Sequence, residues 1–183
     1  MDFARINRIY ARLGFVKKLK DFVVTLIATA LGSGFTPRAP GTAGTVVGVF
    51  IIYLTRGWKY SEVFWLGIVI FLIGWWASLE WSKKVQEPDS QKIVIDEVLG
   101  YMVAMGTLPR TGATLLVQFI LFRIFDALKP PPIRQFDQWG KRFPIGLMQS
   151  FGVIFDDLLA GLVSWGVYLI LIKFIDFDAL LKF

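Results

Sequence analysis

Apolar residues in this chain come in long blocks separated by short polar or Gly/Pro-rich breaks, at roughly 22–31, 44–55, 62–82, 93–108, 112–128 and 149–172. About 20 apolar residues carry a helix across a bilayer, and 62–82 and 149–172 meet that length alone. The blocks 22–31 and 44–55 are each too short. Joined across LGSGFTPRAPGTAG they make one broken span, an irregularity tolerated at membrane depth only where protein or a wet cavity covers the backbone. The blocks 93–108 and 112–128 form a hairpin turning at TLPRTG. No repeat, low-complexity tract or long linker divides the chain. The expected fold is all-α: a polytopic membrane helical bundle of about five spans with a broken first span, forming a single domain over 22–183.

Composition agrees, with 55% hydrophobic residues and a mean hydropathy of +0.59. Charge then adds direction. Arg5, Arg8, Arg12, Lys17, Lys18 and Lys20 face only Asp2 within the first twenty residues. That stretch, 1–21, reads as a basic amphipathic interfacial helix with Phe3, Ile6, Tyr10, Leu13 and Val16 along one face, suited to anionic headgroups rather than nucleic acid. No small-residue cleavage site follows an apolar core there, so no cleavable signal peptide is expected. Lys and Arg favour the cytoplasmic side, which places the N-terminus, Lys83/Lys84/Lys92 and Lys129/Arg134/Lys141/Arg142 inside. Arg56, Lys59 and Arg110 fall on the opposite side. In this topology Asp96 and Glu97 open one pass, Asp126 ends the next, and Asp156 and Asp157 lie early in the last. Five carboxylates then share one depth near the cytoplasmic face.

A charge at bilayer depth costs about 3 kcal/mol or more, so each of these acids needs a reason. In IVIDEVLG, Asp96 and Glu97 are about 100° apart on a helix; acids also suit the positive end of a helix dipole. In IFDDLLAG, Asp156 and Asp157 are flanked by apolar residues, with Gly152 and Gly161 permitting close packing. They are either ligands neutralised by a cation or members of a buried ion pair with Arg or Lys. In FRIFDALKPPPIRQFD, Arg123 and Asp126 share a helix face. Pro130 ends that helix, so Lys129 and Arg134 project from a stiff turn. The loop GSGFTPRAPGTAGT, with Thr36, Arg38 and Thr42 as donors and glycines allowing close backbone approach, has the makings of an anion site. It has no Gly-Lys-Ser/Thr and is no P-loop.

The absences narrow the chemistry. The chain has no Cys and no His, which excludes thiolate nucleophiles, imidazole bases and a Ser-His-Asp triad. Oxygen-only ligands favour Mg²⁺ over zinc. Carboxylates converging near Arg38, Arg123, Lys129 and Arg134 describe a site for a hard metal and a phosphate, with Asp126 a candidate base.

The four motifs, in this order between about Thr29 and Gly161, resemble the phosphatidylglycerophosphatase A family of Mg²⁺-dependent membrane enzymes. The resemblance implies removal of the terminal phosphate of phosphatidylglycerophosphate to give phosphatidylglycerol, on the cytoplasmic face of a bacterial inner membrane, by a multi-pass protein. It implies substrate contacts from Thr36, Arg38 and Thr42, with Ser33 beside them, and from Arg123, Lys129 and Arg134. Metal binding would fall to Asp96, Glu97, Asp126, Asp156 and Asp157, and catalysis to Glu97, Asp126, Asp156 and Asp157. The chain departs from the family's usual glycine-rich run before the last aspartate pair, reading MQSFGVIF, and from the His-containing lead into the first acidic motif, reading EPDSQK. No His can be essential here. Two rivals share the buried acids: a divalent-cation transporter, which needs neither the Thr/Arg loop nor the KPPPIR turn, and a metal-binding membrane protein without hydrolase activity. The sequence says nothing of oligomeric state.

Overall fold

The computed structural model describes residues 3–181, with side chains described from Gly14 to Leu181. The described residues form eight helices: α1 (Phe3–Ala28), α2 (Pro40–Leu54), α3 (Tyr60–Val85), α4 (Ile95–Met105), α5 (Gly112–Leu128), α6 (Ile133–Gly140), α7 (Leu147–Leu171) and α8 (Phe177–Leu181). A single 3₁₀ turn, Ser33–Phe35, lies between α1 and α2, and there is no strand among the described residues. The fold is all-helical, as expected.

Two helices, α3 with 26 residues and α7 with 25, are long and apolar enough to cross a membrane. Their outward faces are apolar too: Phe64, Trp65, Val69 and Leu72 on α3 and Leu162 and Ile170 on α7 are exposed. Side chains of that kind suit lipid better than water. The remaining apolar blocks form shorter helices, of 15 residues in α2, 11 in α4 and 17 in α5.

The basic stretch and the first apolar block are one continuous helix, α1, running across the boundary expected near residue 21. The sequence between them changes from charged to apolar but contains no breaker, and the helix ends only where Ala30, Leu31 and Gly32 take positive φ. Of the expected apolar face, Phe3, Ile6, Tyr10 and Leu13 lie outside the described side chains, while Val16 is exposed. Farther along, α1 lies on α3 and pairs Lys20 with Glu80.

At the centre is α4, with nine of its eleven residues buried. Glycine lets its neighbours come that close. On α2, a Cβ at Gly44 would sit 2.7 Å from the Val94 Cβ, just before α4, and one at Gly48 would sit 3.2 Å from the Tyr101 Cβ. On the other side, a Cβ at Gly100 would meet the Asp157 carbonyl oxygen at 2.7 Å, and one at Gly161 would overlap the Gly100 carbonyl. Between α6 and α7, Gly140 and Gly152 meet in the same way. These contacts set how near the acidic residues of α4 and α7 lie to each other.

At the end of the bundle away from those acids, Arg110 donates to the carbonyls of Thr55 (2.5 Å) and Trp58 (3.0 Å) and stacks over the Tyr60 ring. That accounts for a cation on the side the charge bias disfavours: it closes the loop ends of α2 and the α4–α5 turn.

Candidate active site

Pro40 opens α2 at a position where its missing N–H costs nothing, and Arg38 and Thr42 flank that helix start. Asp96 and Glu97 sit in the first turn of α4. Arg123 and Asp126 lie in the last turns of α5, which stops at Lys129 in the left-handed conformation before three prolines. Together with α6 and the Gly152–Asp157 stretch of α7, these ends enclose a cavity of about 430 Å³. Arg38, Thr42, Asp96, Glu97, Arg123, Asp126, Lys129, Asp156 and Asp157 all line it.

The carboxylates divide into two kinds. Asp96, Glu97 and Asp157 each present an oxygen within 4.8 Å of the other two. Asp96 is 7% exposed and Asp157 5%, and no lysine or arginine forms an ion pair with any of the three among the described residues. The Glu97 Oε2 is buried with no hydrogen-bond partner. A Cβ on Gly41 would overlap the Glu97 carboxylate and lie 3.1 Å from an Arg123 nitrogen, so the start of α2 presses directly on this cluster. Two carboxylates at such a separation repel by about 3 kcal/mol or more at an effective dielectric near 20. Three converging oxygens with unspent acceptor capacity fit a hard divalent cation, and carboxylate donors suit Mg²⁺, Ca²⁺ or Mn²⁺ rather than a thiolate-seeking metal.

The other acids are paired. Asp126 holds Arg123 at 2.5 Å, and the same guanidinium nitrogen reaches the Thr45 hydroxyl at 3.5 Å. Asp156 takes a hydrogen bond from the Lys129 ammonium at 2.5 Å, leaving its Oδ1 buried and unpartnered. Lys129 donates in turn to Asp137 at 2.7 Å, and Lys141 joins Asp137 (2.9 Å) to Asp89 (3.2 Å). Alternating charges therefore run from buried Asp156 out to Asp89 and Lys141 at the cavity mouth. Burial works against a charge on Lys129, yet Asp156 and Asp137 outweigh it and hold its pKa above the usual lysine value. Burial likewise opposes ionisation of Asp137, but Lys129 and Lys141 hold that carboxyl below its ordinary range.

Asp156 is thus a member of a buried ion pair with Lys129, whereas Asp157 has no ion-pair partner among the described residues. Lys129 is occupied by two carboxylates. Thr36, Ser33 and Arg134 are not among the lining residues: Thr36 and Arg134 are exposed, and the Ser33 hydroxyl donates to the Thr29 carbonyl at 3.1 Å. Asp89, Asp137 and Lys141 line the cavity without having been singled out. A helical reading of QFDQWGK would have exposed the i,i+4 spacing of Asp137 and Lys141, but the Pro-rich turn expected from the sequence extends only as far as Arg134.

A family model described as Phosphatidylglycerophosphatase A matches residues 26–172. The chain belongs to that family. The match runs from the end of α1 to just past the end of α7 and includes every cavity residue named above. Over 146 residues the chain is 34% identical to the phosphatidylglycerophosphatase A of Haemophilus influenzae, covering 77% of this chain and 83% of that protein. Identity to the Escherichia coli phosphatidylglycerophosphatase A is also 34% over 146 residues, covering 78% and 79%. A Bacteroides thetaiotaomicron protein named "Putative phosphatidylinositol-3-phosphatase" is 32% identical over 155 residues, covering 81% and 92%. No solved structure matches the chain. As a member of this family the chain is a phosphatase.

Proposed function

We propose that the chain hydrolyses the terminal phosphate of phosphatidylglycerophosphate, giving phosphatidylglycerol and inorganic phosphate, with Mg²⁺ held by Asp96, Glu97 and Asp157. The observation that carries this reading is the meeting, in one cavity, of three carboxylates without an ion-pair partner among the described residues, Arg38 and Thr42 at the start of α2, and Arg123 from the end of α5. When bound, the cation supplies charge neutralisation for the carboxylates and Lewis acidity toward the phosphate.

The chain's own groups supply the rest. The start of α2 offers free backbone N–H groups and the positive end of its dipole to the phosphate oxygens, with Arg38 and the Thr42 hydroxyl beside them. Arg123 is oriented by Asp126 and stabilises charge on the equatorial oxygens as a water oxygen attacks phosphorus and the phosphorus–oxygen bond to glycerol breaks. Asp126 takes a proton from that water and can return it to the departing glycerol oxygen. Lys129, locked between Asp156 and Asp137, contributes field and position rather than a free hand for substrate. Arg134, exposed on α6, would meet headgroups at the surface.

We read the topology as about five passes. The end of α1 with α2 forms the broken first, followed by α3, α4, α5 and α7, and the short α4 is covered on all sides by protein as irregular flanks at depth require. Charge bias supports a cytoplasmic active site in a bacterial inner membrane, as does a substrate whose doubly charged phosphate cannot cross the bilayer unaided.

Purified protein in detergent with phosphatidylglycerophosphate should release phosphate with Mg²⁺ and none after chelation. Absence of release under both conditions would remove this reading and favour the rival of cation binding or transport without hydrolysis. The name of the Bacteroides relative favours a second reading, the same reaction on a phosphorylated inositol lipid. Release from phosphatidylinositol 3-phosphate, measured side by side, distinguishes the two headgroups.

A further inference from the structure

A second cavity, of about 540 Å³, lies between α3, α4 and α7 on the far side of Leu99 and Leu158 from the acids. Its wall is apolar almost throughout, with Gly67 and Phe71 from α3, Leu99 and Met102 from α4, and Leu158 and Leu162 from α7. The near end begins beside the active site, since Leu158 follows Asp157 and Leu99 lies three residues from Asp96 on the same helix. From there the groove runs along α3 from Phe71 to Tyr60, about 16 Å at 1.5 Å per residue. That is close to half of a hydrocarbon core about 30 Å thick. Two of its three walls are the helices long and apolar enough to cross the membrane. Its rim residues Phe64, Ile68 and Leu162 are exposed, so it opens sideways to lipid.

We propose that this groove seats one acyl chain of the lipid whose phosphate enters the acidic cavity. The inference rests on the lipid-phosphatase reading above and adds where the substrate's tail goes. Proximity carries it: the two cavities share no lining residue, but the groove begins at Leu99 and Leu158, within one helical turn of Asp96 and Asp157 along α4 and α7, and runs for the length of one leaflet from there. The groove's role is orientation rather than affinity. An acyl chain moving from bilayer to groove leaves one apolar medium for another, so little hydrophobic free energy is gained, while fixing the tail fixes the angle at which the phosphate meets its donors. Gly67 forms the open floor. A Cβ there would meet only the Met102 Cε, at an ordinary 3.8 Å, so a larger side chain can occupy the groove without forcing the helices apart.

Gly67→Phe tests the proposal by comparing long-chain phosphatidylglycerophosphate in mixed micelles with its water-soluble deacylated headgroup. Filling the groove should lower kcat/KM for the long-chain lipid relative to the headgroup by a factor on the order of 10 to 100, the size expected when a reacting group is displaced. Leu162→Trp at the exposed rim should act in the same direction. Equal changes on both substrates, or no change on either, overturn the groove while leaving the phosphatase reading intact. If wild-type protein hydrolyses neither substrate, that reading fails and the groove falls with it. Photolabelling wild-type protein with a diazirine-tailed substrate should mark Met102 and Leu162 and lose that mark in Gly67→Phe. Labelling spread evenly over the outer faces of α2, α3 and α5, or cross-linking of Leu162 to a second copy of the chain, also overturns the proposal.

Discussion

The two ends of the bundle around α4 and α7 treat buried polarity in opposite ways. At the far end the buried side-chain pairs are neutral: the Thr114 hydroxyl shares a 2.8 Å hydrogen bond with Tyr168, the Thr111 hydroxyl caps α5, Ser164 donates to Gln118 at 2.5 Å, and Tyr101 donates to the Leu115 carbonyl at 2.8 Å, while the charge on Arg110 is spent on backbone carbonyls. At the near end the same two helices carry Asp96, Glu97, Asp156 and Asp157, and three of these have no ion-pair partner among the described residues. Paired neutral groups fix helix register at low cost, whereas uncompensated carboxylates oppose folding and persist only where they serve another purpose. The difference singles out the near end as the candidate site without reference to any motif.

The largest effect should come from Asp157→Asn. Removing one of three mutually repelling carboxylates should lower phosphate release by a factor on the order of 10²–10³ or more while leaving the thermal midpoint in detergent unchanged or higher, as in stability–activity trade-offs. A variant that loses stability in step with activity would show that this carboxylate is structural. Lys129→Met comes next. It leaves Asp156 and Asp137 without their shared cation and should destabilise by about 2–3 kcal/mol, short of the 3–5 kcal/mol of a sealed pair because Lys129 keeps some solvent contact. Adding Asp156→Asn should recover most of that stability, and a double variant no more stable than the single one would break the ion-pair account.

Far-end changes should reverse the pattern. Gln118→Leu strands the Ser164 hydroxyl and should cost about 1–2 kcal/mol of stability with phosphate release close to wild type. Smaller still, Asp89→Asn at the half-exposed mouth should shift stability by no more than about 0.5 kcal/mol, and less in high salt. The pH response of the Lys129–Asp137 pair has a definite sign. A lowered carboxyl pKa gives a stabilisation that is complete above the ordinary carboxylate value and lost as pH falls through the folded one. A raised lysine pKa gives one complete below the ordinary lysine value and lost only at more alkaline pH. The stability difference between wild type and Asp137→Asn should therefore be flat from about pH 5 to 9; a slope inside that window would mean the pair titrates there.

The sequence made visible what depends on local pattern. The apolar blocks 62–82 and 149–172 became α3 and α7, the TLPRTG hairpin turn lies between α4 and α5, and nine of the residues named for chemistry share one cavity. Features set by tertiary partners were hidden. Lys129 read as a phosphate ligand because Asp156, its partner 27 residues away, meets it only after α5 and α7 pack. Asp137 was passed over because the expected Pro-rich turn, Lys129 to Arg134, stops short of it, whereas Pro132 immediately precedes the helix α6 that carries Asp137. The block 93–108 overstated α4, since Val94 and Gly106 are apolar by composition but lie outside the helix, Gly106 with φ of +41°. Composition also suggested a joint inside α1 where no residue interrupts the backbone.

The glycines that let α2 and α7 close on α4 act as a gauge as well as a filler. Gly41, Gly100 and Gly161 are chemically blank, yet a single methyl at each would overlap a neighbour: at Gly100 and Gly161 it would push the acid-bearing α4 and α7 apart, and at Gly41 it would press on the Glu97 carboxylate itself. Octahedral Mg²⁺ requires oxygens at about 2.0–2.1 Å, and Ca²⁺ accepts about 2.3–2.6 Å. A site spaced by backbone-to-backbone contact would thus have its ionic preference written into residues that never touch the ion. Drift toward a larger cation could begin with an alanine in a helix seam, long before any carboxylate changes.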